Sequence, residues 1–410
     1  MEKVAFLYAT FPRPTETFVR RELRAFDELG FHPIAYSLWG GEGNWEKRKI
    51  ILFPKFRLLQ LFYWLPYWGF LKPREFREVL TFLWNRPCPN LQNFNETFLG
   101  LGFALVEALA FRKKKYDLIH GVWATMPATA AFALHRLTGI PYSMDSHAYD
   151  LFRKGGDWLL ELKLRYTAFV RTSSESSVRR LESLGVEGDK IQLIRRGLES
   201  WTKRSSFEVS PGNEPLRMLS VGRLVPKKGY FHTLRIAEIL VRNRISFEWK
   251  IIGSGILEKQ LKEEIKRKGL ENWVHLLGFR MEEEVRETCL QSDVLVFTGI
   301  IDECGDRDGI PNIVPEAMET GCLILSSQVA GASEAFIDEV SGFSLNPKNP
   351  HGWVEILSDF KNNPSNYLSI RKNAIKHARE HFDVRKTVRK LYSSIQRVPA
   401  AAVSYTHLTL

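Results

Sequence analysis

At 410 residues the chain exceeds one ordinary domain and suits two, each long enough to bury its own core. Hydrophobic residues at 44% with 26% charged describe a globular protein, and no run of eighteen or more uncharged apolar residues offers a membrane span. A net charge of +11 points to anionic partners without choosing among nucleotides, lipid head groups and nucleic acid, and the four cysteines (Cys88, Cys289, Cys304, Cys322) lack the spacing of a disulfide framework or zinc site.

From the start, Val4 to Tyr8 reads as a strand, because an acid precedes it and the apolar run is too brief for a secretory leader; this predicts a cytoplasmic protein. Thr17 to Leu29 follows as a helix, with Phe18, Leu23, Phe26 and Leu29 on one face. Short apolar segments at His32 to Leu38, Leu118 to Val122 and Tyr142 to Asp145 then alternate with helical stretches, the pattern of a parallel sheet covered on both sides. Residues 47–95 break the pattern, with Phe62, Trp64, Trp68 and Phe70 set among Lys55, Arg57, Lys72, Arg74 and Arg77. Two readings of this basic and aromatic insertion stand open. One is a surface that meets anionic head groups, peripherally on the inner face of the membrane; the other is a helical insertion packed on the first domain with solvated basic ends.

Trp201 to Pro215, polar and rich in Ser, Pro and Gly, reads as a linker. Beyond it the alternation restarts at Arg217 to Gly222 and continues through Trp249 to Gly253, Val274 to Gly278, Val294 to Thr298, Leu323 to Ser326 and Gly342 to Leu345. The expected domains are therefore 1–204 and 205–380, both doubly wound α/β, followed by a helix over 381–398. The tail, 400–410, reads as non-native sequence and is left out of the functional reading.

Two segments of the second domain carry chemistry. Asp308 and Glu316 stand eight positions apart across a Gly309-Ile310-Pro311-Asn312 turn and a helix that starts near Ile313. One carboxylate can accept hydrogen bonds from hydroxyls of a transferred hexose and the other from a ribose, while free amides at the helix start face a diphosphate. Val221 to Gly229 reads as a strand end, a turn and a helix start, in which Arg223 and Lys228 can converge on one anion. Between them Gly253 ends a strand in a Gly-x-Gly turn, and Phe279 follows another strand. The corresponding bland readings are an acid-capped helix, a solvated basic turn and ordinary tight turns.

These strings resemble the family-four retaining glycosyltransferases, especially exopolysaccharide and colanic-acid-type members. The acid-x7-acid motif matches at Asp308 and Glu316, although the family usually begins it with Glu. The resemblance implies that Arg223 and Lys228 bind the donor diphosphate, that Gly253 lies beside the nucleotide, and that backbone at Phe279 and Arg280 recognises the base. Phe11-Pro12-Arg13-Pro14-Thr15-Glu16-Thr17-Phe18 is similar to an acceptor-side loop of that subgroup, with Thr15 replacing its usual Ser and Glu16 matching. His120-Gly121-Val122-Trp123-Ala124 resembles a His-x-His-x-Ala segment with Trp123 in place of the second His, which implies that His120 lies on the acceptor side, and His147-Ala148-Tyr149-Asp150 resembles a His-Ala-x-Asp signature. A histidine placed like His147 can hydrogen-bond a sugar hydroxyl and stabilise the cation-like carbon of the transition state.

The implied fold is GT-B, two Rossmann-like domains facing a central cleft. The implied activity is transfer with retention from a nucleotide-diphosphate sugar to a glycan or lipid-linked oligosaccharide, without cofactor or metal. His147, Arg223, Lys228 and Asp308 are its expected catalytic residues. A second reading is a module of the same fold that binds sugar nucleotide or glycan without turnover. Nucleic-acid binding is set aside, because the basic residues are spread over both halves and no recognised motif accompanies them.

Overall fold

The computed structural model of the protein describes residues 3–199, 214–329 and 331–399. These divide into two units: residues 3–173, 177–194 and 387–399 form the first, and residues 174–176 and 195–386 the second. The expected boundary at 204/205, most of the Trp201 to Pro215 linker and the 400–410 tail lie outside the described residues. Arg195 to Glu199 join the second unit rather than the first, because Leu198 is buried against its core and its backbone amide donates to the Phe382 carbonyl.

The first unit is built on seven parallel strands: β1 (Val4–Tyr8), β2 (Ile34–Ser37), β3 (Ile51–Leu52), β4 (Leu118–Gly121), β5 (Tyr142–Asp145), β6 (Val170–Thr172) and β7 (Ile191–Leu193). Their order is β3-β2-β1-β4-β5-β6-β7, so the winding reverses between β1 and β4. The loops leaving those two strands diverge at the carboxyl edge of the sheet, where open α/β sheets place their ligands. β2 starts two residues later than expected, after Pro33, which has no amide to donate to a neighbouring strand.

Helix α1 (Thr17–Glu28) covers one face with Phe18, Leu23 and Phe26. The insertion contributes α2 (Leu61–Leu71) and α3 (Pro73–Asn85), and α4 (Leu91–Lys114) and α5 (Met126–Thr138) follow. α4 is long and apolar enough to cross a membrane, but it is a core helix: Phe103, Ala104, Val106 and Phe111 are buried in the first unit's cluster. A side chain at Gly100 would lie 2.7 Å from the Met126 carbonyl, so α4 and α5 approach backbone to backbone. Trp68 of α2 is buried and donates from Nε1 to the Leu105 carbonyl at 2.9 Å. One face of the insertion is thus packed, as the helical reading expects; its other face is exposed.

The second unit has six parallel strands: β8 (Leu216–Val221), β9 (Phe247–Ile252), β10 (Val274–Gly278), β11 (Val294–Phe297), β12 (Leu323–Ser327) and β13 (Phe343–Leu345). Their order is β10-β9-β8-β11-β12-β13, with a second reversal between β8 and β11. Burial alternates strictly. Trp249, Ile251, Val294, Val296, Leu323 and Leu325 fill one hydrophobic layer, while Ile252, Leu295, Phe297 and Ile324 fill the other. A sheet buried on both faces is the reason these strands read as continuous apolar runs. Its helices are α9 (Tyr230–Arg242), α10 (Glu258–Arg267), α11 (Glu282–Gln291), α12 (Ile313–Glu319), α13 (Pro350–Asn362) and α14 (Leu368–His381), preceded in the first half by α6 (Ala148–Phe152), α7 (Leu160–Tyr166) and α8 (Glu175–Ser183). The last helix, α15 (Val384–Arg397), contributes Thr387 onward to the first unit, where Tyr392 contacts the ring of Phe31 at 4.8 Å.

Candidate active site

The turn that follows β8 is fixed by backbone before any side chain acts. The Gly222 amide donates to the Ile252 carbonyl and the Leu224 amide to Ser254, both at 2.9 Å, which ties this turn to the one after β9. Gly253 stands at φ 146 with its α-carbon so close to the Gly222 carbonyl that an added Cβ would lie 1.9 Å from the oxygen. Gly229, at φ 70, meets the Thr298 carbonyl in the same way. Only glycine fits either position, and the second contact clamps the β8 turn onto the end of β11.

Pro226, Lys227 and Lys228 form one turn of 3-10 helix ahead of Gly229. In so tight a turn successive side chains point about 120° apart, yet both ammonium groups reach the loop after β11. Lys228 Nζ lies 2.7 Å from Asp308 Oδ2, and Lys227 Nζ lies 3.4 Å from Asp308 Oδ1 and 3.0 Å from Asp306 Oδ1. That loop is braced from within, since Asp302 accepts from the amides of Cys304 and Asp306 at 2.9 Å. The Lys228 ammonium also rests 5.1 Å from the centre of the Phe297 ring.

The electrostatics of this cluster are unbalanced. Burial opposes the charge on Asp308, but Lys228 and Lys227 outweigh it and hold the carboxyl below its ordinary range. Lys228 moves the other way. Burial depresses it, Lys227 and Arg223 repel its charge, and the attraction of Asp308 does not restore the ordinary value. Lys227, Lys228 and Arg223 set against Asp306 and Asp308 leave one cation over in a partly dry site, the condition in which an added anion is favourable.

Of the other residues proposed for the donor, Arg223 is exposed and acts on Lys228 through its field. Gly309, Ile310 and Asn312 line the partly buried loop that continues from Asp308, and Pro311 and Ile313 are buried at the start of α12. Glu316 is buried in the first turn of that helix, where its charge raises the already buried Cys289 thiol. α12 is only seven residues long. Phe279 stands exposed just beyond β10. Lys227, to which the sequence assigns no role beside Lys228, is 4% exposed. The Asp306-Arg307-Asp308 string was the available signal, because two acids two positions apart in a partly buried loop favour a neighbouring cation.

In the first unit His147 precedes α6 and is 5% exposed. Its Nδ1 lies 3.3 Å from Ser173 Oγ and its Nε2 3.8 Å from Asp145. The Asp150 carboxylate accepts from the amides of His147 at 3.3 Å and Ala124 at 2.9 Å, so the loops after β5 and β4 are pinned together. Burial pushes the Asp150 carboxyl up to about 7 in spite of those amides.

Trp123, where the resembled family has His, takes φ 94, a region bulky side chains rarely adopt. Its ring stands edge-on to His147 at 5.7 Å and to Phe18 at 5.8 Å. Such strain, on the order of 1–3 kcal/mol, persists where a surrounding structure over-determines a residue and gathers at functional sites.

His120 corrects the sequence reading. Assigned to the acceptor side, it is instead 1% exposed inside β4, with Nε2 3.2 Å from Asp145 and Nδ1 2.9 Å from Ser143 Oγ. Both ring nitrogens are engaged, so it supports Asp145 rather than meeting a sugar. Thr15 is exposed in the loop after β1, and Glu16 immediately precedes α1 with its carboxylate 3.7 Å from Arg13.

Comparison with known proteins agrees with this architecture. Residues 202–380 match the glycosyl transferases group 1 family and residues 16–197 the glycosyl transferase 4-like domain. The chain is 25% identical over 425 residues to the putative colanic acid biosynthesis glycosyltransferase WcaL of Salmonella typhimurium, covering 97% of this chain and 100% of that one. It is 29% identical over 220 residues to the amylovoran biosynthesis glycosyltransferase AmsK of Erwinia amylovora, a match covering 53% of this chain and about half of that relative, 54%. Among solved structures, HepE of Anabaena in complex with UDP and glucose aligns with a TM-score of 0.68 at 16% identity, over 97% of this chain and 100% of that one. Sucrose-phosphate synthase of Thermosynechococcus elongatus aligns with a TM-score of 0.72 at 13% identity, over 97% and 98%.

Proposed function

Since the chain belongs to the glycosyltransferases of group 1 and 4-like type, with the GT-B fold, we propose that its second unit binds a nucleotide-diphosphate sugar and transfers the sugar with retention. The observation that carries this reading is the cluster in which Lys227, Lys228 and Arg223 outnumber Asp306 and Asp308, which suits an added diphosphate. HepE, whose structure holds UDP and glucose, supports a donor of that class.

The acceptor oxygen bonds to the anomeric carbon as the bond from that carbon to the donor phosphate breaks. The departing phosphate takes the proton of the acceptor hydroxyl on the same face. Arg223 and Lys228 stabilise the negative charge that grows on the diphosphate as it leaves, the interaction that most lowers such a barrier. Asp308 orients the Lys228 ammonium and accepts from hydroxyls of the transferred sugar, and Glu316 holds the ribose. Lys227, bridging Asp306 and Asp308, stands where a cation would otherwise join those acids, which favours transfer without a metal.

Acceptor binding falls to the first unit, with His147, Trp123 and the Thr15-Glu16 loop at the carboxyl edge of its sheet. WcaL and AmsK are named for colanic acid and amylovoran, and the acceptor is accordingly read as a glycan or lipid-linked oligosaccharide of cell-surface polysaccharide synthesis in the cytoplasm. Release of nucleoside diphosphate from UDP-, GDP- and ADP-sugars tests the reading. At least one donor should be consumed, and Glu316→Ala should lower that rate on the order of a hundredfold. Binding of a donor with no turnover in the presence of glycan acceptors would instead mark a non-catalytic module.

A further inference from the structure

More than half of the large hydrophobic side chains that stand exposed among the described residues lie between Phe56 and Phe98. Within that stretch α2 is apolar around its whole circumference. Leu61, Trp64 and Trp68 face the core, whereas Phe62, 89% exposed, and Phe70, 85% exposed, face outward. A helix that is hydrophobic on every side is normally enclosed, by protein or by lipid.

α3 follows the same plan with a cationic edge. Phe76, Val79 and Leu83 pack inward. Arg77, Leu80 and Trp84, the last 91% exposed, share an exposed stripe at helical spacing. Aromatic rings interleaved with arginine on one helix face suit the boundary between head groups and acyl chains.

Beside α3 lies a cavity of about 600 Å³ lined by Arg74, Arg77, Arg86 and Arg165, with Glu78 and Glu161. Both carboxylates already have cations: Glu161 accepts from Arg86 and Glu78 from Arg136, each at 2.8 Å. Arg74, Arg77 and Arg165 form no ion pair among the described residues. Three guanidinium groups without counter-charge around one cavity suit a phosphate, which guanidinium binds through paired hydrogen bonds.

We infer that α2 and α3 form a membrane-docking element, whose outward aromatic side chains enter the interface of an anionic bilayer while the arginines of the adjoining cavity hold a phospholipid head group. Arginines lining a cavity next to apolar stripes match the layering of a bilayer surface, where anionic head groups lie directly beside acyl chains. The element goes beyond the transfer reaction and is independent of the donor assignment, since vesicle binding is read without donor or acceptor.

Flotation of the full chain with vesicles of phosphatidylcholine, alone or mixed with phosphatidylglycerol, tests this. The protein should float with the mixed vesicles only, less as salt rises. Phe62→Ser/Phe70→Ser/Trp84→Ser should weaken binding about tenfold or more. Arg74→Gln/Arg77→Gln/Arg165→Gln should abolish the preference for phosphatidylglycerol. All six positions are exposed, so both variants should keep the wild-type melting temperature and consumption of donor with a soluble acceptor. Equal flotation with neutral vesicles, no flotation, or wild-type flotation of both variants overturns the inference. So would a dimer in solution that the aromatic variant disperses, because the face would then meet a second copy of the chain.

Discussion

Each unit contains a buried carboxylate at the centre of a charge cluster, and the two clusters are built on opposite principles. In the first unit Asp145, 1% exposed, is surrounded by His120, His147 and Arg171, and Arg171 is in turn paired with Glu22 at 3.1 Å. Burial works against the Arg171 charge, but Glu22 and Asp145 raise its affinity for the proton above the ordinary value. That cluster is closed. In the second unit Asp308, at 17% side-chain exposure, shares Lys227 and Lys228 with Asp306, exposed Arg223 is the cation left over, and burial holds Lys228 below its ordinary range. That cluster is open, with cation left over. A closed buried cluster fixes geometry, whereas an open one holds charge in readiness for a ligand.

The comparison breaks if removal of either carboxylate has the same consequence. Asp145→Ala leaves Arg171 still paired with Glu22 but takes the acceptor from buried His120, and should cost about 1–3 kcal/mol in stability, read from the denaturant midpoint. A loss of transfer with unchanged stability would instead place Asp145 in the chemistry. A smaller effect sharpens the same contrast. The Asp150 carboxyl is raised to about 7 in the fold, so the native state keeps a proton that the unfolded chain releases nearer its ordinary 3.8. Stability contributed by this group is complete below the unfolded value and falls as pH rises towards 7. Melting temperature should therefore drop by roughly a few degrees between pH 5 and pH 8. Asp150→Asn should flatten most of that slope, leaving the part due to Glu96, which burial also raises. An unchanged slope in the variant would show that Asp150 is ionised throughout.

Much of this was legible in the letters, and the failures share a cause. Strands of the second unit read clearly because both faces are buried, which turns each into an apolar run. The same double burial hid the role of His120: on a strand covered on both sides, periodicity does not say whether a polar residue meets solvent or a buried partner. Arg223, Lys228, Asp308 and Glu316 were named by spacing and by resemblance, and of these the structure brings Lys228 and Asp308 into contact. Lys227 was not named, because its burial depends on Gly229 being clamped to Thr298, a contact made across 69 positions of sequence. α2 offered no helical stripe at all, since Phe62 and Trp68 are equally apolar and only the packing of Trp68 on α4 separates inside from outside.

Calorimetric titration of UDP, GDP and ADP into the wild type and into Lys228→Gln tests the open cluster most directly. At least one nucleotide should bind the wild type, and the variant should bind it about tenfold to a hundredfold more weakly, as expected for losing one charge-assisted contact of about 1.5–3 kcal/mol. Lys262→Gln, on the exposed face of α10, should bind like the wild type. Failure of all three nucleotides to bind, or equal affinity in Lys228→Gln, would contradict a second unit whose surplus charge awaits a diphosphate.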